Sequence, residues 1–144
     1  MGTTGLDTAH GEFLLAHNLG HLVTLKRDGR PQISNINYHL HDDGLVRISV
    51  TDGRAKVVNL RRDPRVSLHV DGDSGWKWLV AEGIAELSPV TRDRHDATVE
   101  ELIDVYRAIA GEHPDWDDYR RAMVADGRLV LRIRIEHTYG QLSQ

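Results

Sequence analysis

Apolar and polar residues alternate along most of the chain, and the pattern changes to a helical period in four places. Gly20-His21-Leu22-Val23-Thr24-Leu25-Lys26 predicts a strand, closed by Arg27-Asp28-Gly29-Arg30, whose Asp-Gly pair suits a tight hairpin. Pro31 to His41 resumes as a strand, with the proline at the first residue, where a missing N–H is tolerated. After the turn Asp42-Asp43-Gly44, the run Leu45 to Thr51 sets Val46, Ile48 and Val50 on one face and Arg47 and Ser49 on the other. Arg65 to Asp71 alternates again, with Val66, Leu68 and Val70 directed inward. The turn-rich Asp71-Gly72-Asp73-Ser74-Gly75 leads into the longest run, Trp76 to Leu87, where Gly83 predicts a bulge or bend that helps a sheet curl. Leu129 to Glu136 closes the chain as a strand, with Leu129, Leu131, Ile133 and Ile135 on one face.

The helical stretches read differently. Leu6 to His17 forms an amphipathic N-terminal helix, capped by Asp7 or Thr8. A short helix begins near Arg54 and is stopped by Asp63-Pro64. Between Asp96 and Ala110, Val99, Leu102, Ile103, Tyr106 and Ile109 recur at steps of three and four and share one helix face. Pro114 and Asp115 introduce a further short helix from Trp116 to Val124. The expected fold class is α+β and mainly β: about six antiparallel strands, preferably in a barrel, with helices inserted between and around them. No repeat, low-complexity tract or linker divides the chain, so residues 1–144 are expected to form a single domain.

Composition narrows the function. Without cysteine there is no disulfide framework, thiolate metal site or cysteine nucleophile, and a reducing compartment fits. The Met1 to Asp7 segment has no basic and apolar leader pattern, and no apolar run approaches a membrane helix; a cytoplasmic, soluble protein is expected. A formal net charge of −4 argues against a general affinity for nucleic acid. The 18 cationic residues include only three lysines, Lys26, Lys56 and Lys77, which draws notice to each.

Arg54-Ala55-Lys56 opens the short helix between two strands, and this is the most informative local feature. A helix N-terminus offers unpaired N–H groups and a partial positive charge, and two cations beside it suit a phosphate. The alternative is a capped surface helix with solvated basic residues. The strand Ile33 to His41 is unusually polar: Ser34, Asn35, Asn37, Tyr38 and His39 line either a ligand groove or a solvated face. Trp76 and Trp78 flank Lys77; one of them is read as core and the other as free to stack on a planar ligand or a neighbouring chain. Nine histidines raise the question of metal, and His39 and His41 share a strand face, yet no third ligand is fixed by sequence and no metal site is expected. Nor is there a Gly-x-Ser-x-Gly nucleophile elbow.

Taken together, Leu22-Val23-Thr24-Leu25 with Asp28-Gly29-Arg30-Pro31, the Leu45 to Thr51 strand, Arg54-Ala55-Lys56 through Asn59-Leu60-Arg61-Arg62-Asp63-Pro64-Arg65, and Ala81-Glu82-Gly83-Ile84-Ala85 resemble the pyridoxamine-phosphate-oxidase-like split β-barrel superfamily. Gly75-Trp76, Tyr106-Arg107-x-Ile109-Ala110-Gly111-Glu112-His113, Asp115-Trp116-Asp117-Asp118-Tyr119-Arg120 and His137-x-Tyr139-Gly140 are most similar to its mycobacterial and actinobacterial branch, which binds the deazaflavin coenzyme F420. The resemblance implies an FMN-binding-like antiparallel split barrel and a homodimer with two cofactor sites at the subunit interface. It maps the phosphate grip onto Ser49, Arg54, Ala55, Lys56 and Asn59, runs Leu22, Val23 and Thr24 along the ring system, and adds Asn35 as a polar contact. Trp76 and Lys77 would approach from the partner chain. Tyr38, His39 and His137 are candidates for proton delivery. The implied activity is F420H2-dependent hydride transfer to an activated, conjugated small molecule. The alternatives are an FMN-dependent oxidoreductase of the pyridoxamine-phosphate-oxidase type, a non-catalytic F420 carrier and a haem-binding relative. Against a pyridoxamine-phosphate oxidase proper, Gln141-Leu142-Ser143-Gln144 leaves no room for a basic substrate-binding tail.

Overall fold

The computed structural model describes residues 6–143; within the Met1 to Asp7 segment, residues 1–5 lie outside the described residues. The elements run α1 (Thr8–Leu15), β1 (Leu19–Leu25), β2 (Pro31–Asn37), β3 (His39–Leu40), β4 (Leu45–Thr51), α2 (Ala55–Arg62), β5 (Arg65–Asp71), β6 (Trp78–Leu87), α3 (Ala97–Ala110), α4 (Trp116–Asp126) and β7 (Arg128–Gln141). All seven strands pair antiparallel in one sheet of order β2-β1-β5-β6-β7-β4-β3. The sheet curls until β2, at one end, lies against β4 near the other. Its concave side holds the main core, including Leu22, Val46, Ile48, Leu68, Leu79, Leu131 and Ile133. A second cluster, with Val99, Leu102, Ile103, Tyr119, Met123 and Val130, packs α3 and α4 onto β7. Among the described residues no helix is long and apolar enough to cross a membrane.

The alternating patterns place the strands well, and the structure differs in three places. The expected strand Pro31 to His41 is two strands, because the chain leaves β1 after the Leu19↔Asn37 pair and rejoins the sheet at the opposite edge, where His39 faces Arg47. Tyr38 is the pivot. Its side chain is fully buried, its hydroxyl donates to the Leu14 carbonyl at 2.8 Å and its N–H donates to the Asn18 carbonyl at 2.8 Å, so both of its donors keep partners across the break. Second, β6 starts at Trp78: the Gly72 N–H bonds the Lys77 carbonyl at 2.7 Å, and Gly75 takes a positive φ of 77°, which leaves Trp76 and Lys77 in an exposed turn. Third, β7 continues beyond Glu136 to Gln141, since β6 supplies a partner all the way to Trp78↔Gln141. The expected bulge is present: the β6/β7 register shifts between Glu82 and Gly83.

A half-buried ion network ties α3 to the sheet. Glu101 accepts from Arg132 at 2.6 and 2.8 Å and from Arg47 at 2.8 Å, and Arg47 also pairs with Asp43. Hydrogen bonds from Arg132, and then from Arg47, hold the Glu101 carboxyl below its ordinary range against the opposing effect of burial. A depressed carboxyl contributes stability that is fully present above its unfolded value, 4.5, and is lost as pH falls through the lower folded value. Glu101→Gln is therefore expected to lower the unfolding free energy at pH 7 by about 2 kcal/mol, the scale of hydrogen bonds to charged groups. Denaturant titrations of both proteins should show this gap closing below pH 4.5; a gap that does not depend on pH would contradict it.

Candidate functional site

Three of the four helices begin with an aspartate whose carboxylate accepts from first-turn N–H groups: Asp7, Asp96 and Asp115. Helix α2 begins instead with Arg54, has no side-chain cap and carries no acidic residue in its first turn. The first N–H groups of any helix lack intrahelical partners, so here they face outward beside cations. Lys56 is half-buried, and its ammonium is held below its usual range, first by burial and then by repulsion from Arg54 and Arg128. An anion among these three groups would offset that repulsion.

These cations edge a cavity of about 600 Å³ between the β2/β4 edge of the sheet and the α3–α4 pair. Asn35, Asn37, Ser49 and Thr51 supply hydrogen-bonding groups, while Tyr106, Ile109, Tyr119 and Met123 supply the apolar wall; among the described residues no carboxylate lines it, and Asp126 stands 3.9 Å from Arg128 Nε. Arg128 Nη1 donates to Ser49 Oγ at 3.3 Å, and Arg128 Nε is buried without a hydrogen-bond partner. Tyr119 donates to the Leu102 carbonyl at 3.1 Å, and burial pushes its hydroxyl up to about 12, so it lines the wall as a neutral group.

The sequence-predicted residues thus divide into groups. Asn35, Ser49, Arg54 and Lys56 line this one cavity, and Ala55 opens the adjoining helix. Asn59 faces inward: its amide donates to Thr24 Oγ1 at 3.1 Å, and Thr24 donates to Gln32 at 2.8 Å. Together with Arg62 donating to the Leu25 carbonyl at the surface, these bonds fasten α2 to β1. Of Leu22, Val23 and Thr24, the first and last are fully buried and only Val23 presents its side chain on the convex face. Trp76 and Lys77 stand in the β5–β6 turn, outside the cavity lining. Among the proton-delivery candidates, Tyr38 is committed to the core, where burial raises its hydroxyl well above the ordinary value. His39 lines a different cavity and is held below its ordinary range by burial, with His41 adding to the effect and Asp42 opposing it. His137 is exposed on β7, stacked on Tyr139 with ring centroids 5.8 Å apart.

Arg128 is the residue that sequence reasoning missed. Its only local signal is its place directly after Gly127, whose left-handed φ of 68° ends α4. The antiparallel register brings it opposite Thr51, beside the α2 entrance.

The sequence profile of the pyridoxamine 5'-phosphate oxidase family matches residues 6–142. The chain belongs to that family. Among solved structures, it is similar to the conserved hypothetical protein Rv2991 from Mycobacterium tuberculosis, at 25% identity and a TM-score of 0.73 over 98% of this chain and 89% of that one. It is similar also to an F420 reductase, at 26% identity and a TM-score of 0.64 over 89% and 94% of the two chains. The heme storage protein HutZ from Vibrio cholerae shares the fold at 16% identity and a TM-score of 0.68, covering 95% of each chain. Members of this fold family bind flavin or related cofactors, and an oxidoreductase is the supported class.

Proposed function

We propose that the protein binds coenzyme F420 and reduces an activated, conjugated small molecule with F420H2. The observation that carries this reading is the convergence of Arg54, Lys56 and Arg128 on one cavity at the uncapped start of α2, with Arg128 Nε buried, without a hydrogen-bond partner among the described residues and only 3.9 Å from the Asp126 carboxylate. That donor set fits a phosphate group, and the similarity to an F420 reductase supports the deazaflavin over its relatives. When bound, reduced F420 supplies a hydride from C5 of its ring.

The chain's own residues position and shield. Arg54, Lys56 and Arg128 hold the phosphate, and Ser49, held by Arg128, sets its register. Val23 and Asn35, on the convex face of β1 and β2, flank the ring. Tyr106, Ile109 and Tyr119 keep water from the apolar side of the cavity. Leu19, Ile33 and Tyr139 are large apolar side chains left 59%, 60% and 44% exposed, which supports burial against a second copy, from which Trp76 and Lys77 would reach the site. A substrate taking the hydride also takes a proton, for which His39 and His137 are the candidates.

Side-by-side fluorescence titrations with F420 and FMN test this. Tighter binding of F420, followed by acceptor-dependent reoxidation of F420H2, is expected. Preference for FMN would move the protein to flavin chemistry, and a Soret band with haem would move it to haem binding. F420 binding with no turnover across quinone-like and conjugated alkene acceptors would make it a carrier.

A further inference from the structure

On the convex face of the sheet, His21 of β1 and His69 of β5 are directly opposed in register, and their Nδ1 atoms lie 3.2 Å apart. Asp71 follows two residues after His69 on the same strand face, and its carboxylate stands 3.9 Å from His69 Nε2. One donor atom from each of the three residues lies within 4.8 Å of the other two. We propose that His21, His69 and Asp71 form a binding site for a borderline divalent cation of the zinc type, separate from the anion cavity.

The chemistry of the donor set is the first support. Two imidazoles and one carboxylate are the ligands such ions take, and they leave coordination positions open to water or a small ligand. Geometry is the second. Two nitrogens about 2.0–2.1 Å from a tetrahedral zinc lie about 3.3 Å apart, so the observed 3.2 Å separation already matches a chelate. The rings must turn to aim both Nδ1 lone pairs at one point, and Asp71, now nearer His69 Nε2, must swing to the Nδ1 side by a rotamer change open to its exposed side chain. Without an ion the same separation serves a hydrogen bond, with one ring donating and the other accepting.

The scaffold supplies the third. Both histidines stand on strands inside the sheet, β1 between β2 and β5, and β5 between β1 and β6, and not on loops. The His69 ring is stacked on Trp78, with centroids 6.1 Å apart and planes 20° apart, which restrains the ligand orientation. His21 and Asp71 open onto a cavity of about 520 Å³ that His17 and His39 also line, giving the ion an approach and further imidazoles at the same opening. The His39–His41 pair, which sequence spacing singles out, is a poorer chelate. His41 Nδ1 is bonded to the His39 carbonyl at 3.2 Å, and the two rings meet edge to face at 4.8 Å.

The test uses the full chain without a polyhistidine tag, stripped with a chelator and dialysed. Zn2+ is titrated against a competing chromophoric chelator, and Co2+ absorption in the visible reports the donor set directly. About one Zn2+ per chain is expected, and His21→Ala, His69→Ala and Asp71→Asn should each weaken binding at least about tenfold and abolish the Co2+ bands, while His95→Ala changes neither. Circular dichroism and the thermal midpoint establish that each variant is folded. Asp71→Asn, at an exposed position, decides the matter if a histidine variant fails to fold. A parent chain that loses the contest for Zn2+ with the chelator, or folded variants that bind as tightly as the parent, would overturn the site. The titrations are run without F420, so Zn2+ affinity is read independently of F420 affinity, which the cation-cavity variants measure.

Discussion

Lys56→Ala is expected to weaken F420 binding by roughly 10- to 100-fold, corresponding to about 1.5–3 kcal/mol for a hydrogen bond to a charged group. Arg128→Ala should do the same, because its guanidinium reaches the same cavity and its buried Nε has no hydrogen-bond partner among the described residues. The double variant should lose less than the sum of the two. Lys56 is destabilised as a cation partly by Arg128, so removing one charge relieves the other. Fluorescence titration of the three variants, with FMN as the comparison phosphate ligand, provides the measurement. A cofactor gripped elsewhere would leave both single variants at parental affinity. Thermal midpoints should be unchanged or slightly raised, since mutual repulsion is being removed.

The second large effect is on folding. Gly83→Ala is expected to destabilise the protein by about 3 kcal/mol, the upper part of the range for overpacking a rigid site. A β-carbon there would collide with the Arg134 carbonyl of β7, and would also press on the Ile133 side chain at 3.1 Å. The obstacle is backbone, at the point where the β6/β7 register shifts, so no rotamer change relieves it. Either the bulge migrates or the two strands separate, although this is the longest pairing in the sheet. Urea unfolding of the variant gives the value, and a midpoint within error of the parent would mean that the bulge carries no constraint.

Gly83 was legible because a glycine inside a long apolar strand run marks a bulge or a close approach of another backbone. The strands Leu45–Thr51 and Arg65–Asp71 were equally legible, since a two-residue period survives in the order of the residues. The break at Tyr38 was not. Residues before and after it continue the alternation, and what divides the strand is a set of bonds to Leu14 and Asn18 in a different segment. Asn59 and Thr24 suggested ligand contacts from the resemblance, while the fold bonds them to each other across 35 positions.

The sequence by itself determined the strand and helix periods, the position of the basic helix start, and the resemblance that led to the family. Each of these is written in neighbouring residues, because backbone geometry and capping act over a turn or a few alternations. Only the tertiary structure decided which distant groups share a site. Arg128 meets Ser49 from 79 positions away, and His21 meets His69 from 48. Cross-strand register creates both pairs, and register is set by how the whole sheet buries its apolar face, a property that no local stretch of sequence contains.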